Sequence, residues 1–219
     1  MLAKIKGAFA ILLLVGMGLI ATMVYVSLTN GEFDITVKDI VRTLLRIDQN
    51  RDHDLVIFEF RLPRIVIAVL VGMGLGVAGA VIQGVTRNGL ADPGMLGINA
   101  GAGVAIVIFL YFYQGQIREV TWLSVMAMPL FGLFGGLLAA LLIYLFAWKH
   151  GRLEPQRLLL TGLAIASGLS AISLFLTLRM NSQDFEMVAV WTSGSIYNAN
   201  WKYIVSILPW FAVLMPLIY

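Results

Sequence analysis

The sequence predicts an all-α polytopic membrane protein, on three observations. Sixty per cent of its 219 residues are hydrophobic and only 12% are charged. Its mean hydropathy of +0.90 lies well above that of soluble globular chains. Six stretches, 7–28, 65–86, 93–117, 120–148, 158–178 and 203–219, contain no Asp, Glu, Lys or Arg. The first five each suffice to cross the hydrocarbon core of a bilayer as a helix, which takes ~20 residues. Every charge falls between these stretches, and no segment of ordinary polarity is long enough for a soluble domain.

The elements follow in order. Lys4 and Lys6 precede the first apolar run, which is longer than the core of a signal peptide and has no small-x-small cleavage site after it; a retained helix over 7–28 is predicted. Thr36-Val-Lys-Asp39 reads as a capping box. Val37, Ile40, Val41, Leu44 and Leu45 follow at helical spacing, with Lys38, Arg42 and Arg46 elsewhere on the helix, so 36–47 is predicted to be an external interfacial helix. A polar turn is expected over 48–54. The second span, 65–86, is entered through Arg61-Leu62-Pro63-Arg64. Along it Ala68, Gly72, Gly76, Ala80 and Gly84 recur every four residues and lay a strip of nearly bare backbone on one face. Close backbone approach is what holds helices together in lipid, so Gly72, Gly76, Ala80 and Gly84 are expected to pack against a neighbour. Further helices are expected over about 94–116, 121–147, 157–178 and 203–219. Pro63, Pro93 and Pro155 stand at helix starts, where a missing N–H costs nothing. Pro129, Pro209 and Pro216 lie inside spans and would kink them unless neighbours satisfy the freed carbonyls.

Several chemistries are excluded or disfavoured. Gly74-Leu-Gly76-Val-Ala-Gly79 is a formal G-x-G-x-x-G, but it lies in an apolar membrane run rather than at a strand-to-helix turn, so it is no dinucleotide site. There is no G-x-x-x-x-G-K-[ST], so the chain does not hold ATP by a P-loop. His53 and His150 are single histidines in polar loops without a ligand-spaced partner, and the lack of cysteine removes disulfides and thiolate metal sites. No catalytic residue, cofactor or metal site is predicted. The pI near 9.3 reflects the flanks of membrane spans rather than nucleic-acid binding, because no Lys/Arg cluster lies on a soluble surface. The spans carry no ionisable group except tyrosine, whereas ion-coupled carriers keep charged groups inside the membrane. If the chain transports, its energy comes from elsewhere. Lys4, Lys6, Arg87, Lys149, Arg152 and Arg157 crowd the short segments on one side, and this density together with the basic N-terminal tail places the N-terminus in the cytoplasm.

Several ordered motifs resemble one family. They are Arg61-Leu-Pro-Arg64, the glycine helix ending Ala80-Val-Ile-Gln83, Arg87-Asn-Gly-Leu-Ala-Asp-Pro93, Leu96-Gly97-Ile-Asn-Ala-Gly101-Ala102, Arg157-Leu-Leu-Leu-Thr-Gly162-Leu-Ala164 and Trp191-Thr-Ser-Gly194-Ser195. Together they are similar to the FecCD-type permeases, the membrane subunits of ABC importers for ferric siderophores, haem and cobalamin. The resemblance spans essentially the whole chain. It implies a helix bundle of the type II ABC importer permease kind, with about six transmembrane helices present of an expected ten. Residues 1–219 would then be one permease domain, C-terminally incomplete: the N-terminal two-thirds, stopping inside helix six before the segment that engages the ATPase. Where the family commonly has Asn-Pro-Leu, this chain has Asn88-Gly89-Leu90, which loosens the turn.

The resemblance also implies partners and roles. A second permease chain would complete a homo- or heterodimer in the lipid of the cell membrane. Two cytoplasmic ATP-binding subunits would supply energy, and an external substrate-binding protein would deliver a ferric siderophore-type substrate. Arg61 and Arg64 correspond to external arginines that receive acidic residues from the binding protein. Asn88 and Leu90 correspond to a cytoplasmic loop that helps close the pathway. Asp184–Trp191 corresponds to a short external helix, with Met187 and Trp191 at the pathway mouth. Cobalamin or haem importers remain alternatives, as do an ion-coupled carrier, which the charge-free spans disfavour, and a non-transporting scaffold.

Overall fold

The structure, a computed structural model, describes residues 2–31, 33, 35–47, 50–113, 122–197 and 199–218. In chain order the elements are α1 (Leu2–Thr29), α2 (Val37–Leu44), α3 (Arg51–Asp54), a π-helical stretch (Leu55–Arg61), α4 (Leu62–Thr86), a 3-10 turn (Pro93–Leu96), α5 (Ile98–Tyr113), α6 (Trp122–Ala147), a hairpin of β1 (Trp148–Lys149) and β2 (Arg152–Leu153), α7 (Pro155–Thr177), α8 (Ser182–Thr192) and α9 (Trp201–Ile218). Five helices are long and apolar enough to cross a membrane: α1, the continuous helix Arg51–Thr86, α6, α7 and α9. The shorter apolar α5 coincides with the remaining charge-free run, whose expected helix end at 114–116 lies outside the described residues. The six predicted spans therefore correspond to six observed helices. They group into two compact units, one of Met1–Leu70 with Ile196–Tyr219 and one of Val71–Ser195, with the boundary inside α4.

In the first unit, the helix expected to begin at 65 begins at Arg51 and runs unbroken to Thr86. The polar segment expected as a turn is, from Arg51 on, the first turn of that helix; residues 48 and 49 lie outside the described residues. Asn50 caps it, its side-chain oxygen accepting the Asp52 N–H at 3.0 Å. Pro63 is therefore not at a helix start, and its missing amide does have a consequence. Between Leu55 and Arg61 the helix is wound wide, and the Leu62 N–H donates to the Ile57 carbonyl five residues back. In that register the next donor would be residue 63 and the next acceptor Phe58, but proline has no N–H. The indole Nε1–H of Trp201 donates to the Phe58 carbonyl instead, at 2.7 Å. A fully buried Pro63 thus sits inside a membrane helix without leaving an orphaned acceptor.

Two small cores hold this unit. Val56 and Ile57 pack with Ile35 and Ile40, and Ile67 and Leu70 pack with Ile204 of α9. The capping residue of α2 is Thr36, as predicted, accepting the Asp39 N–H at 3.3 Å. Ile40 turns into the core, while Val37, Val41, Leu44 and Leu45 stay exposed as an apolar edge, the arrangement expected of a helix lying at an interface.

In the second unit α5 is the central element, packed against α6 and α7, with Val107 and Leu110 almost wholly buried. Bare backbones make this packing possible. A Cβ added at Gly101 of α5 would lie 2.6 Å from the Gly135 carbonyl oxygen of α6. One added at Gly162 of α7 would lie 2.7 Å from the Leu96 carbonyl oxygen, and Gly97, with φ of +81°, would meet Gly162 at the same distance. Among the described residues of this chain, nothing packs on the glycines of the α4 strip. Added Cβ atoms at Gly72, Gly76 and Gly84 would meet nothing within 4 Å, and Ala80 is exposed. Its regular spacing provides a smooth face, whereas Gly101, Gly135 and Gly162 on α5, α6 and α7 touch a neighbouring backbone. Pro155 opens α7 as predicted. His150 and Gly151, with φ of +51° and +77°, make the tight turn of the hairpin before it.

Two outcomes follow. Gly135→Ala should lower unfolding free energy in a detergent titration by about 2 kcal/mol, because the new methyl overlaps α5. Gly76→Ala should be neutral or stabilising by about 0.5 kcal/mol, since it adds helix propensity without a clash. Separately, Trp201→Phe should cost about 1 kcal/mol by removing the only donor found for the Phe58 carbonyl among the described residues. That cost should shrink in a Pro63→Ala background, where an amide at 63 can serve the carbonyl; a double-mutant cycle measures the coupling.

Candidate functional site

Among the described residues each unit holds a concave site. In the second unit a cavity of about 790 Å³ is walled by α5, α7 and α8. Its polar lining comes from Asn99, Ser170, Ser173, Thr177, Trp191 and Thr192, and among the described residues none that lines it is charged. Ser170, Ser173 and Thr177 recur at three and four residues, so one face of α7 carries all three. The Thr177 and Thr192 hydroxyls donate to their own helices, to the Ser173 and Val188 carbonyls at 2.8 and 2.7 Å. Their remaining capacity towards the cavity is as acceptors. Asn181 caps α8, accepting the Asp184 N–H at 2.9 Å while its own amide donates to the Asp184 carboxylate. At the other end Gly194, with φ of +75°, lines the cavity where the helix stops, its N–H donating to the Trp191 carbonyl. The conspicuous Trp191-Thr-Ser-Gly194 string is thus a helix terminus with one aromatic wall. The described lining mixes small apolar side chains with neutral hydroxyl and amide groups.

The structure separates the two residues predicted at the pathway mouth. Trp191 lines the cavity, whereas Met187 packs in the core with Val107, Phe109, Leu110 and Val188. Asn88 and Leu90 form a tight turn after α4 and lie on neither cavity. The Asn88 side chain accepts the Leu90 N–H at 3.0 Å, and the Leu90 side chain is 89% exposed.

In the first unit a smaller cavity of about 380 Å³ is lined by Ser27, Asn30, Phe60, Arg61, Arg64 and Tyr197, among others. The two arginines differ sharply. Arg61 is 7% exposed. Its terminal nitrogens donate to the Leu28 carbonyl and, at 2.7 Å, to the Phe33 carbonyl. Leu28 lies in the last turn of α1, whose carbonyls lack partners within the helix, so Arg61 caps that helix with a charge of the favourable sign. Gly31 leaves room for it, since a Cβ there would lie 2.9 Å from Arg61 Nη2. Arg64 is half-buried. Its Nε–H donates to the Tyr197 carbonyl at 3.0 Å, and its guanidinium carbon lies 4.5 Å from the centre of the Tyr197 ring. The family resemblance implies that both arginines face a partner. The structure turns one to the chain's own backbone and leaves the other at the rim.

Multiple helices long and apolar enough to cross a membrane define a multi-pass membrane protein. A solved inward-facing structure of a transporter assigned to the metal-chelate ABC type superposes with a TM-score of 0.68 at 26% identity, covering 94% of this chain and 61% of that one. The profile of the FecCD transport family matches residues 19–219, and the chain belongs to that family. It is 52% identical over 200 residues to the iron-uptake system permease protein FeuC of Bacillus subtilis, covering 91% of this chain and 60% of that protein. It is 44% identical over 197 residues to the iron(3+)-hydroxamate import system permease protein FhuG of the same organism, covering 90% and 58%. The chain thus spans about three-fifths of the length of the relatives it matches.

The difference between the arginines is measurable. Arg61→Leu should destabilise the fold by about 2 kcal/mol or more, because the Leu28 and Phe33 carbonyls lose a charged donor. Arg64→Leu should change unfolding free energy by less than about 1 kcal/mol. Chemical denaturation in detergent distinguishes them.

Proposed function

We propose that this chain is the transmembrane permease subunit of a binding-protein-dependent ABC importer that moves a ferric siderophore or similar metal chelate into the cytoplasm. The observation that carries the reading is the uncharged cavity between α5, α7 and α8 in a chain whose relatives FeuC and FhuG are named as permeases of iron uptake and iron(3+)-hydroxamate import. A bulky chelate needs a wide passage that neither binds it firmly nor couples it to an ion, and the lining supplies both properties. Its sequence contains no phosphate-binding loop, so ATP is hydrolysed by separate cytoplasmic subunits. The N-terminus lies on the cytoplasmic side of the cell membrane, which puts Arg64, Tyr197 and α2 outside.

Within this reading the external substrate-binding protein docks on Arg64, with Arg61 holding the rim in shape from beneath. Asn88 and Leu90 belong to the cytoplasmic gate, where an exposed leucine on a tight turn can seal against another element. The smooth face of Gly72, Gly76, Ala80 and Gly84 receives a helix of a partner chain in the assembled importer. The two units act together as one permease domain.

Reconstitution tests the reading. Uptake of a ferric siderophore into proteoliposomes should require the ATPase, ATP and the binding protein together. Ser173→Trp, which obstructs the cavity, should reduce uptake at least about tenfold while leaving binding-protein affinity unchanged. Uptake driven by a proton gradient alone, or undiminished passage through the obstructed variant, would contradict it.

A further inference from the structure

Resting on the docking role given to Arg64, we propose that Tyr197 is a positioning residue. It presents the Arg64 guanidinium as a preset two-pronged donor for a single carboxylate of the partner. Tyr197 holds that group from two directions: its carbonyl takes the Nε–H at 3.0 Å and its ring lies under the guanidinium plane at 4.5 Å. Nε is thereby fixed, while the two terminal nitrogens have no protein partner among the described residues. A planar pair of N–H donors matches the two oxygens of a carboxylate.

The holder is itself held. Four residues after Tyr197, the Trp201 indole donates to the Phe58 carbonyl, six residues before Arg64. One side chain of the Arg51–Thr86 helix therefore bonds the backbone before α9, and one side chain of α9 bonds the backbone of that helix. These crossed bonds close a clasp that fixes Tyr197 relative to Arg64. The adjoining cavity of about 380 Å³ has room for an acidic side chain, and among the described residues none that lines it is a carboxylate. A long flexible arginine loses rotamer freedom when it docks; one already stacked and bonded loses less, so the partner binds more tightly without any added contact.

Binding-protein affinity for the assembled importer in nanodiscs, with melting temperature measured in parallel, tests this. Tyr197→Phe keeps the ring and the carbonyl and should bind as wild type. Tyr197→Leu keeps the carbonyl alone and should bind about fivefold more weakly, with unchanged melting temperature. Arg64→Ala should weaken docking further, and adding Tyr197→Leu to it should cost nothing more, because the phenyl ring acts only through the arginine. Additive losses, or equal affinity for Tyr197→Leu and wild type, would overturn the positioning role while leaving docking intact. Undiminished affinity of Arg64→Ala would instead overturn the docking reading and this inference with it.

Discussion

A helix carbonyl that loses its amide partner needs another donor, and the arrangement around Phe58 answers that constraint. Pro63 removes one amide from the longest helix of the chain, the wide turn before it passes the deficit to Phe58, and Trp201 closes it from α9. Much of the first unit follows. The helix continues through the proline, so Arg61 and Arg64 emerge from one rigid element rather than from a loop. The change from wide to ordinary winding falls between them. One guanidinium consequently reaches the end of α1 while the other lies on Tyr197. Trp201 also brings the start of α9 to that place, and with it the residue on which Arg64 rests.

The second unit depends on a different use of bare backbone. Gly101 and Gly135 let α5 and α6 approach to carbonyl contact, and Gly97 and Gly162 do the same for the 3-10 turn and α7. This close seating fixes α5 along one side, and α7 and α8 then stand around a space walled by their small and hydroxylated residues. An uncharged cavity lining and glycine-mediated packing are two results of one choice, small residues where helices meet and short hydroxyls where they part.

Much of this was legible in the sequence. The charge-free runs located all six helices, since a bilayer punishes charge more severely than it constrains anything else. Thr36 and Pro155 announced the starts of α2 and α7, because capping chemistry is local. The start at Arg51 was hidden: a polar segment followed by proline reads as a turn unless the tryptophan that repairs the backbone is known, and Trp201 lies far away in sequence. The glycine strip on α4 was conspicuous because it was regular, yet contact depends on what stands opposite, which spacing does not encode. The cavity was partly readable. Ser170, Ser173 and Thr177 share a face of an otherwise apolar helix, a signal present in the chain but weaker than the tryptophan motif. Met187 illustrates the converse, since an apolar residue one turn from the cavity wall packs against the core as readily as it faces the cavity.

The claim on which the account turns is that water fills the space between α5, α7 and α8, and the lack of any native cysteine makes it directly accessible. A single cysteine at Ser173, on the cavity, should react rapidly with a charged, membrane-impermeant thiol reagent in the assembled transporter. One at Leu163, exposed on the apolar surface of α7, should not. Equal protection of both positions from the reagent on either side of the membrane would mean that the cavity is lipid-filled or closed, and that the substrate takes another route.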